Sequence, residues 1–180
     1  MSRVLVVFAS FDGQSARIAE RIGAVLEQNG HAVTLRSADT PGIGLEIDRH
    51  DAVLAGAAIR YGRHARSLER LARAHAAQLA GRPNAFFSVC LSAGGPGAKP
   101  AVAEGYVADF RRRTGWEPRR CASFAGALRY SRYGPFIRLM MRLIVGAAGG
   151  DTDTSRDYEY TDWKDVERFA RECASDLAAA

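Results

Sequence analysis

A short polar turn between the first apolar run and the first helical pattern limits most strongly how this chain can fold. The run Val4–Phe8 predicts a buried strand, and residues 14–29 carry apolar side chains at helical spacing. The residues that form and follow the turn are Ser10, Phe11, Asp12, Gly13, Gln14 and Ser15. Unpaired N–H groups at the start of a helix favour an anion, and serine hydroxyls add donors. The turn therefore predicts a phosphate site, although the same composition also serves simply to cap a helix.

Apolar runs and helical patterns alternate along the rest of the chain. Further strands are predicted at Ala32–Arg36, Asp51–Ala57, Ala85–Cys90 and Arg120–Ala127. Further helices are predicted over residues 65–80, 99–114 and 162–178, with residues 37–50 as a loop. The alternation predicts an α/β fold, a single domain over residues 1–180 with a five-stranded parallel sheet and helices on both faces. Residues 128–161 form a long insertion before the last helix, and connections of that length are usually functional.

Ligands of such sheets bind beyond the carboxyl ends of the strands, so the segments that follow the strands are candidate site residues. After the third strand come Ala58, Arg60, Tyr61 and Gly62. Tyr61 can stack on a flat ring, while Arg60 can pair with a carboxylate or lie near another negative charge. At the end of the fourth strand lie Ser88, Val89, Cys90, Leu91 and Ser92, which offer small side chains and free backbone N–H groups. Both segments are also compatible with ordinary loops.

The insertion begins with alternating arginine and tyrosine. Arg129, Tyr130 and Arg132 suit a flat polycarboxylate, because arginine pairs with carboxylates and tyrosine covers planar rings. Residues 136–145 have a helical pattern, with Arg138 and Arg142 one turn apart and apolar residues over most of the rest. A basic helix with a wide apolar face suits a membrane interface, and it equally suits the core or a homo-oligomer contact.

The net charge of +5 is concentrated in one part of the chain. Residues 111–142 contain nine arginines and a single acid, Glu117. Such a segment suits an anionic partner, a membrane surface or nucleic acid, and it is also compatible with a solvated face. No recognised nucleic-acid motif accompanies the charge, so we expect no nucleic acid partner.

Cysteine and acid spacing argue against disulfide and metal sites. The three cysteines, Cys90, Cys121 and Cys173, are far apart and form no Cys-x-x-Cys, which favours a reducing cytoplasm. The acids Asp151, Asp153 and Asp157 lack the glycine and glutamate that a calcium loop requires, so no metal is expected. No apolar stretch reaches the roughly 20 residues that a membrane span needs.

Several motifs resemble those of one family, the flavodoxin-like, menaquinone-dependent protoporphyrinogen IX dehydrogenases. They are Asp12-Gly13-Gln14-Ser15, Gly56-Ala57-Ala58-Ile59-Arg60-Tyr61-Gly62, Ala125-Gly126-Ala127-Leu128-Arg129-Tyr130, Gly149-Gly150-Asp151-Thr152-Asp153-Thr154 and Tyr160-Thr161-Asp162-Trp163. The first alone resembles the phosphate loop of flavodoxins, and the later ones separate this family from electron-carrier flavodoxins. The chain departs from the family at Ser92–Pro100, which is rich in glycine and proline.

The resemblance implies FMN as cofactor and the six-electron oxidation of protoporphyrinogen IX, with electrons passed to menaquinone or another respiratory quinone. It places the phosphate at Ser10–Ser15, the flavin ring beside Arg60, Tyr61 and residues 88–94, and the substrate propionates at Arg129 and Arg132. Helix 136–145 would contact the inner membrane from the cytoplasm. The alternatives are a NAD(P)H:quinone reductase of the same fold and an electron-carrier flavodoxin, although a pI of about 9.4 argues against a carrier.

Overall fold

The computed structural model describes residues 1–179, except for the side chain of Leu45. Its strands are β1 (Arg3–Ala9), β2 (Ala32–Ser37), β3 (Ala52–Arg60), β4 (Arg63–His64), β5 (Asn84–Cys90), β6 (Arg120–Ala125), β7 (Ala127–Leu128) and β8 (Tyr158–Glu159). Its helices are α1 (Gln14–Gln28), α2 (Ile43–Ile47), α3 (Arg66–Ala74), α4 (Ala76–Ala80), α5 (Pro100–Thr114), α6 (Pro135–Ala147) and α7 (Trp163–Ala178). Short 3₁₀ turns cover Leu91–Ala93 and Tyr130–Arg132.

Five parallel strands form the central sheet in the order β2-β1-β3-β5-β6, which confirms the predicted fold class. Each strand is followed by a crossover that returns to the same edge, as parallel pairing requires. The strand order reverses between β1 and β3, and the carboxyl ends there leave a crevice. The predicted phosphate turn and the turn after β3 both lie at this reversal.

The core has two layers because successive side chains of a strand point to opposite faces. On one face, Val4 and Val6 of β1 pack against Ile18 of α1 and Phe169 of α7. On the other face, Leu5 and Val7 belong to a second cluster that includes Leu68 of α3 and Phe110 of α5. Helices therefore cover both faces of the sheet, and its ligand-binding edge stays open.

Three predicted boundaries differ from the structure. The helix predicted over residues 65–80 is divided at His75, whose φ of −122° does not continue a helix. The loop predicted over residues 37–50 contains the short helix α2. The strand predicted to end at Ala127 leaves the central sheet after Ala125, and β7 (Ala127–Leu128), which follows Gly126, pairs with β8 instead.

The insertion folds around its own small core. Leu128, Tyr130 and Val145 are buried together, and the Tyr130 hydroxyl donates to the backbone carbonyl of Asp151 at 2.9 Å. The predicted helix 136–145 is confirmed as α6. Among residues 1–179 no helix combines the length and apolar character needed to cross a membrane.

The glycine-rich segment after β5 packs against the end of α6. Gly97 has φ +78°, and a Cβ at that position would lie 2.2 Å from the carbonyl oxygen of Ala148. A Cβ on Gly95 would lie 2.7 Å from the ring of Tyr160. Glycines at these positions therefore let the Ser92–Pro100 segment contact the insertion backbone closely.

Candidate active site

A cavity of about 390 Å³ opens at the carboxyl edge of the sheet, beside the reversal in strand order. Twelve of the fifteen residues predicted to bind the cofactor line it: Ser10, Asp12, Gln14, Ser15, Ala58, Arg60, Tyr61, Gly62, Val89, Cys90, Leu91 and Ser92. They come from the turns after β1, β3 and β5, which parallel pairing brings to one edge. The segments that the sequence singled out therefore meet in space.

The other three predicted cofactor residues lie outside the cavity lining. Gly13 immediately precedes α1, and Phe11 is 46% exposed with the Arg60 guanidinium 5.0 Å from its ring centre. Ser88 is fully buried, and its hydroxyl lies 2.9 Å from Nε2 of His64. Because side chains alternate along a strand, Ser88 points to the face opposite Val89, and its predicted contact with the cofactor is not supported.

The phosphate turn has donors that nothing in the described chain satisfies. Gly13 has φ +88°, no side chain caps α1, and the first helical backbone bond runs from Arg17 N to Gly13 O. The hydroxyls of Ser10 and Ser15 are buried without a hydrogen-bond partner in the described residues. Buried hydroxyls almost always have a partner, and a phosphate at a helix N-terminus accepts several such bonds. This turn therefore fits the phosphate of the expected cofactor.

The turn between β3 and β4 presents an exposed aromatic ring. Tyr61 and Gly62 have φ of +51° and +74°, as the tight turns of many β-hairpins require at both central residues. Positive φ is unfavourable for tyrosine, and such strain is commonly kept at binding sites. The Tyr61 side chain is 76% exposed beside the cavity, which leaves its face free to stack on a planar ligand.

Helix α6 forms a wall of the cavity that the sequence analysis did not predict. Ile137, Met140, Met141 and Ile144 line the cavity at helical spacing, and Tyr133 precedes them. The i, i+3, i+4, i+7 pattern was visible in the sequence, but it does not say which surface that face covers. Tyr106 of α5 also lines the cavity, and no motif marks it.

The residues predicted to bind substrate lie outside the cavity lining. Tyr130 is fully buried in the insertion core, so it is not available to a substrate. The Arg129 guanidinium donates to Gln14 Oε1 at 3.1 Å and to Glu159 Oε2 at 3.2 Å, and it is only 21% exposed. Its charge is therefore already paired within the chain, and its contact with a substrate propionate stays a prediction. Arg132 donates to the backbone carbonyl of Asp12 at 2.9 Å, which places a cation at the phosphate turn.

Three titratable groups at or behind the cavity are held in their neutral forms: Cys90, Tyr133 and His64. Burial raises the pKa of the Cys90 thiol, which disfavours the thiolate that a nucleophile needs. Burial likewise raises the pKa of the Tyr133 hydroxyl. Behind the cavity, burial lowers the pKa of His64 to about 3, so this imidazole is uncharged at neutral pH. No catalytic acid or base is apparent among these groups.

Comparisons with known proteins agree with this geometry. Residues 5–155 match the family model described as a flavodoxin domain. The Escherichia coli K12 protein named protoporphyrinogen IX dehydrogenase (quinone) is 36% identical over 175 residues, covering 96% of this chain and 94% of that protein. A Leishmania major protein of the same name is 32% identical over 177 residues, covering 98% of this chain and 75% of that protein.

Solved flavodoxins share the fold at low sequence identity. Oxidised flavodoxin 1 from Bacillus cereus has a TM-score of 0.57 at 15% identity, covering 97% of this chain and 98% of that one. Two-electron reduced Megasphaera elsdenii flavodoxin has a TM-score of 0.58 at 15% identity, covering 96% and 98%. With a flavodoxin domain over most of its length and named relatives along nearly all of it, this chain belongs to the family of quinone-dependent protoporphyrinogen IX dehydrogenases.

Proposed function

We propose that this chain is an FMN enzyme that oxidises protoporphyrinogen IX to protoporphyrin IX and passes the electrons to a respiratory quinone such as menaquinone. The observation that carries the proposal is the pair of buried hydroxyls of Ser10 and Ser15, which have no hydrogen-bond partner in residues 1–179. They lie at the two ends of the turn from β1 into α1, beside the cavity. The names of its relatives give the reaction class and support the choice of substrate.

Ser10, Ser15 and the first N–H groups of α1 would hold the FMN phosphate, with Arg132 adding positive charge at the turn. Tyr61 and the turn at residues 89–92 would lie beside the flavin ring. When bound, FMN supplies two-electron redox chemistry, so three turnovers remove six electrons and six protons from one porphyrinogen. Three quinone molecules take up these electrons and protons as quinols, which balances the reaction.

The chain itself supplies an apolar wall for the substrate. The cavity face of α6, with Ile137, Met140 and Met141, is apolar and would contact the tetrapyrrole while excluding water. Together with Tyr61, which lines the same cavity, this wall would orient a planar ligand.

The outer face of α6 supports peripheral contact with the cytoplasmic side of the inner membrane. Phe136, Leu139 and Leu143 are 79%, 56% and 66% exposed, and their i, i+3, i+7 spacing puts them on one side of the helix. Apolar side chains of this kind, beside the exposed Arg142, suit a membrane interface with anionic lipids. Porphyrinogen and quinone both partition into lipid, so docking there would bring the site to its reactants.

An anaerobic assay tests the proposed reaction. FMN-loaded protein is mixed with protoporphyrinogen IX and a menaquinone analogue, and porphyrin fluorescence is followed. Quinone-dependent growth of the fluorescence that needs FMN is the expected result. A yellow protein that leaves porphyrinogen unchanged refutes it, and flavin bleaching by NADH would then favour a NAD(P)H:quinone reductase.

A further inference from the structure

The guanidinium of Arg60 is an uncompensated cation at the cavity. Arg60 ends β3, is exposed, and lines the cavity. It lies 5.0 Å from the ring centre of Phe11 and 5.6 Å from that of Tyr61. Within residues 1–179 no carboxylate lies within ion-pair distance of it, and Asp12, the acid that lines the same cavity, is not paired with it.

Neighbouring arginines are already engaged. Arg129 donates to Gln14 and Glu159, and Arg132 donates to the carbonyl of Asp12. Arg138 donates to the carbonyls of Tyr130 and Tyr133 at 3.2 and 3.3 Å. Arg60 thus differs from these cations, because it lines the cavity and its guanidinium has no hydrogen-bond acceptor in the described part of the chain.

The two aromatic rings hold this cation in place without neutralising it. Contact with ring faces fixes the guanidinium plane while leaving its edge donors free, and that edge matches a carboxylate in two parallel hydrogen bonds. The opposite wall, Ile137, Met140 and Met141, has no charge. The cavity lining therefore combines one forked cation, Arg60, and one acid, Asp12, with the apolar surface of α6. A flat apolar molecule that carries a carboxylate at the Arg60 end would match this arrangement.

We infer that Arg60 binds a propionate carboxylate of the tetrapyrrole and is the residue that selects for acidic tetrapyrroles. This inference rests on the proposed function, and it replaces Arg129 as the propionate contact. Phe11 and Tyr61 act as positioning residues for the guanidinium. In this assignment Arg60 contacts the substrate, in place of the flavin contact predicted from the sequence. Its replacement should therefore weaken substrate binding and leave FMN content unchanged.

A binding experiment with two ligands isolates the carboxylate contact. Protoporphyrin IX and its dimethyl ester are titrated into the FMN-loaded full chain, followed by the porphyrin absorption band. The chains compared are wild type, Arg60→Gln, Arg60→Lys and Arg142→Gln. Arg142, an exposed arginine outside the cavity lining, controls for the loss of one positive charge.

Arg60→Gln is expected to weaken binding of the diacid about tenfold and binding of the ester less than twofold. Arg60→Lys restores part of the diacid affinity, since it keeps the charge and loses the fork. Arg142→Gln should leave the affinity for both ligands unchanged.

Four results would overturn the inference. The first is an equal loss of diacid and ester, which would make Arg60 a shape contact. The second is a loss of diacid affinity in Arg142→Gln equal to that in Arg60→Gln, which would indicate a long-range attraction by positive charge rather than a direct contact. The third is loss of FMN from Arg60→Gln, which would make Arg60 a cofactor residue. A wild-type chain without preference for the diacid also overturns it. An Arg60-dependent diacid preference without porphyrinogen oxidation would refute the proposed function and leave the carboxylate site standing.

Discussion

The substitution Ser15→Ala distinguishes two roles for Ser15: binding the cofactor phosphate, or only stabilising the start of α1. Ser15 is only 1% exposed, and its hydroxyl has no hydrogen-bond partner in the described chain. An unpaired buried hydroxyl costs about 1–3 kcal/mol in the flavin-free protein. Removing it should therefore stabilise that form by about 1 kcal/mol once the small void is allowed for. For a chain of this size the melting temperature should rise by about 2–4 °C.

The same substitution should weaken FMN binding. A hydrogen bond to a charged acceptor contributes about 1.5–3 kcal/mol, which corresponds to roughly a 10- to 150-fold increase in Kd. Flavin-free protein is titrated with FMN and with riboflavin, and quenching of flavin fluorescence reports binding. Riboflavin lacks the phosphate, so its affinity should stay within about twofold of wild type.

The two effects predicted for Ser15→Ala have opposite signs: the flavin-free protein becomes more stable, and FMN binds more weakly. Ser175→Ala is the matched control, because the Ser175 hydroxyl is exposed and donates to the carbonyl of Arg171 within α7. A helix-start role for Ser15 would give a less stable flavin-free protein with equal losses for FMN and riboflavin. That outcome would remove the main structural support for the phosphate site.

Three further predictions concern the glycine-rich segment after β5, the buried histidine and α6. Gly97→Ala should destabilise the fold by more than about 1 kcal/mol in urea unfolding, because of its positive φ and the close Ala148 carbonyl, while Gly105→Ala in α5 should be neutral or stabilising. The folded pKa of His64, about 3, lies below the unfolded value, so the unfolded chain binds more protons and stability falls as the pH drops from about 6.5. At about pH 4.5, His64→Leu should therefore reduce the acid-induced fall in the free energy of unfolding by about 2 kcal/mol. An unchanged dependence of the free energy of unfolding on pH would contradict this prediction. Leu139→Glu with Leu143→Glu should release the folded protein from anionic vesicles in co-sedimentation, and retained binding would exclude this face of α6.

Much of the fold was predictable because the signals were local. The apolar run Val4–Phe8 and the glycine turn before Gln14 set a strand, a turn and a helix through backbone conformation alone. Parallel pairing then brings the turns after β1, β3 and β5 to one edge, whatever their sequence. Most of the predicted cofactor residues therefore line one cavity.

Two of the predicted site residues, Ser88 and Arg129, have surroundings that the sequence does not indicate locally. Ser88 was assigned to the site by its position at a strand end, but strand register turns it to the opposite face, toward His64. Arg129 was assigned by residue type, yet its partner Glu159 lies thirty residues later in the chain and reaches it only through β7–β8 pairing. Side-chain direction and distant charge partners decide such roles, and neither follows from composition or spacing.

The insertion links the phosphate turn to the cavity wall formed by α6. Its first residues contact the phosphate turn, through Arg129 to Gln14 and through Arg132 to the carbonyl of Asp12. A few residues later, α6 forms a wall of the cavity. A shift of α6 must therefore be transmitted to the phosphate turn or absorbed by the short segment between Arg132 and Pro135. Because the outer face of the same helix is apolar and exposed, whatever covers that face acts on a wall of the cavity directly, with no intervening layer of protein.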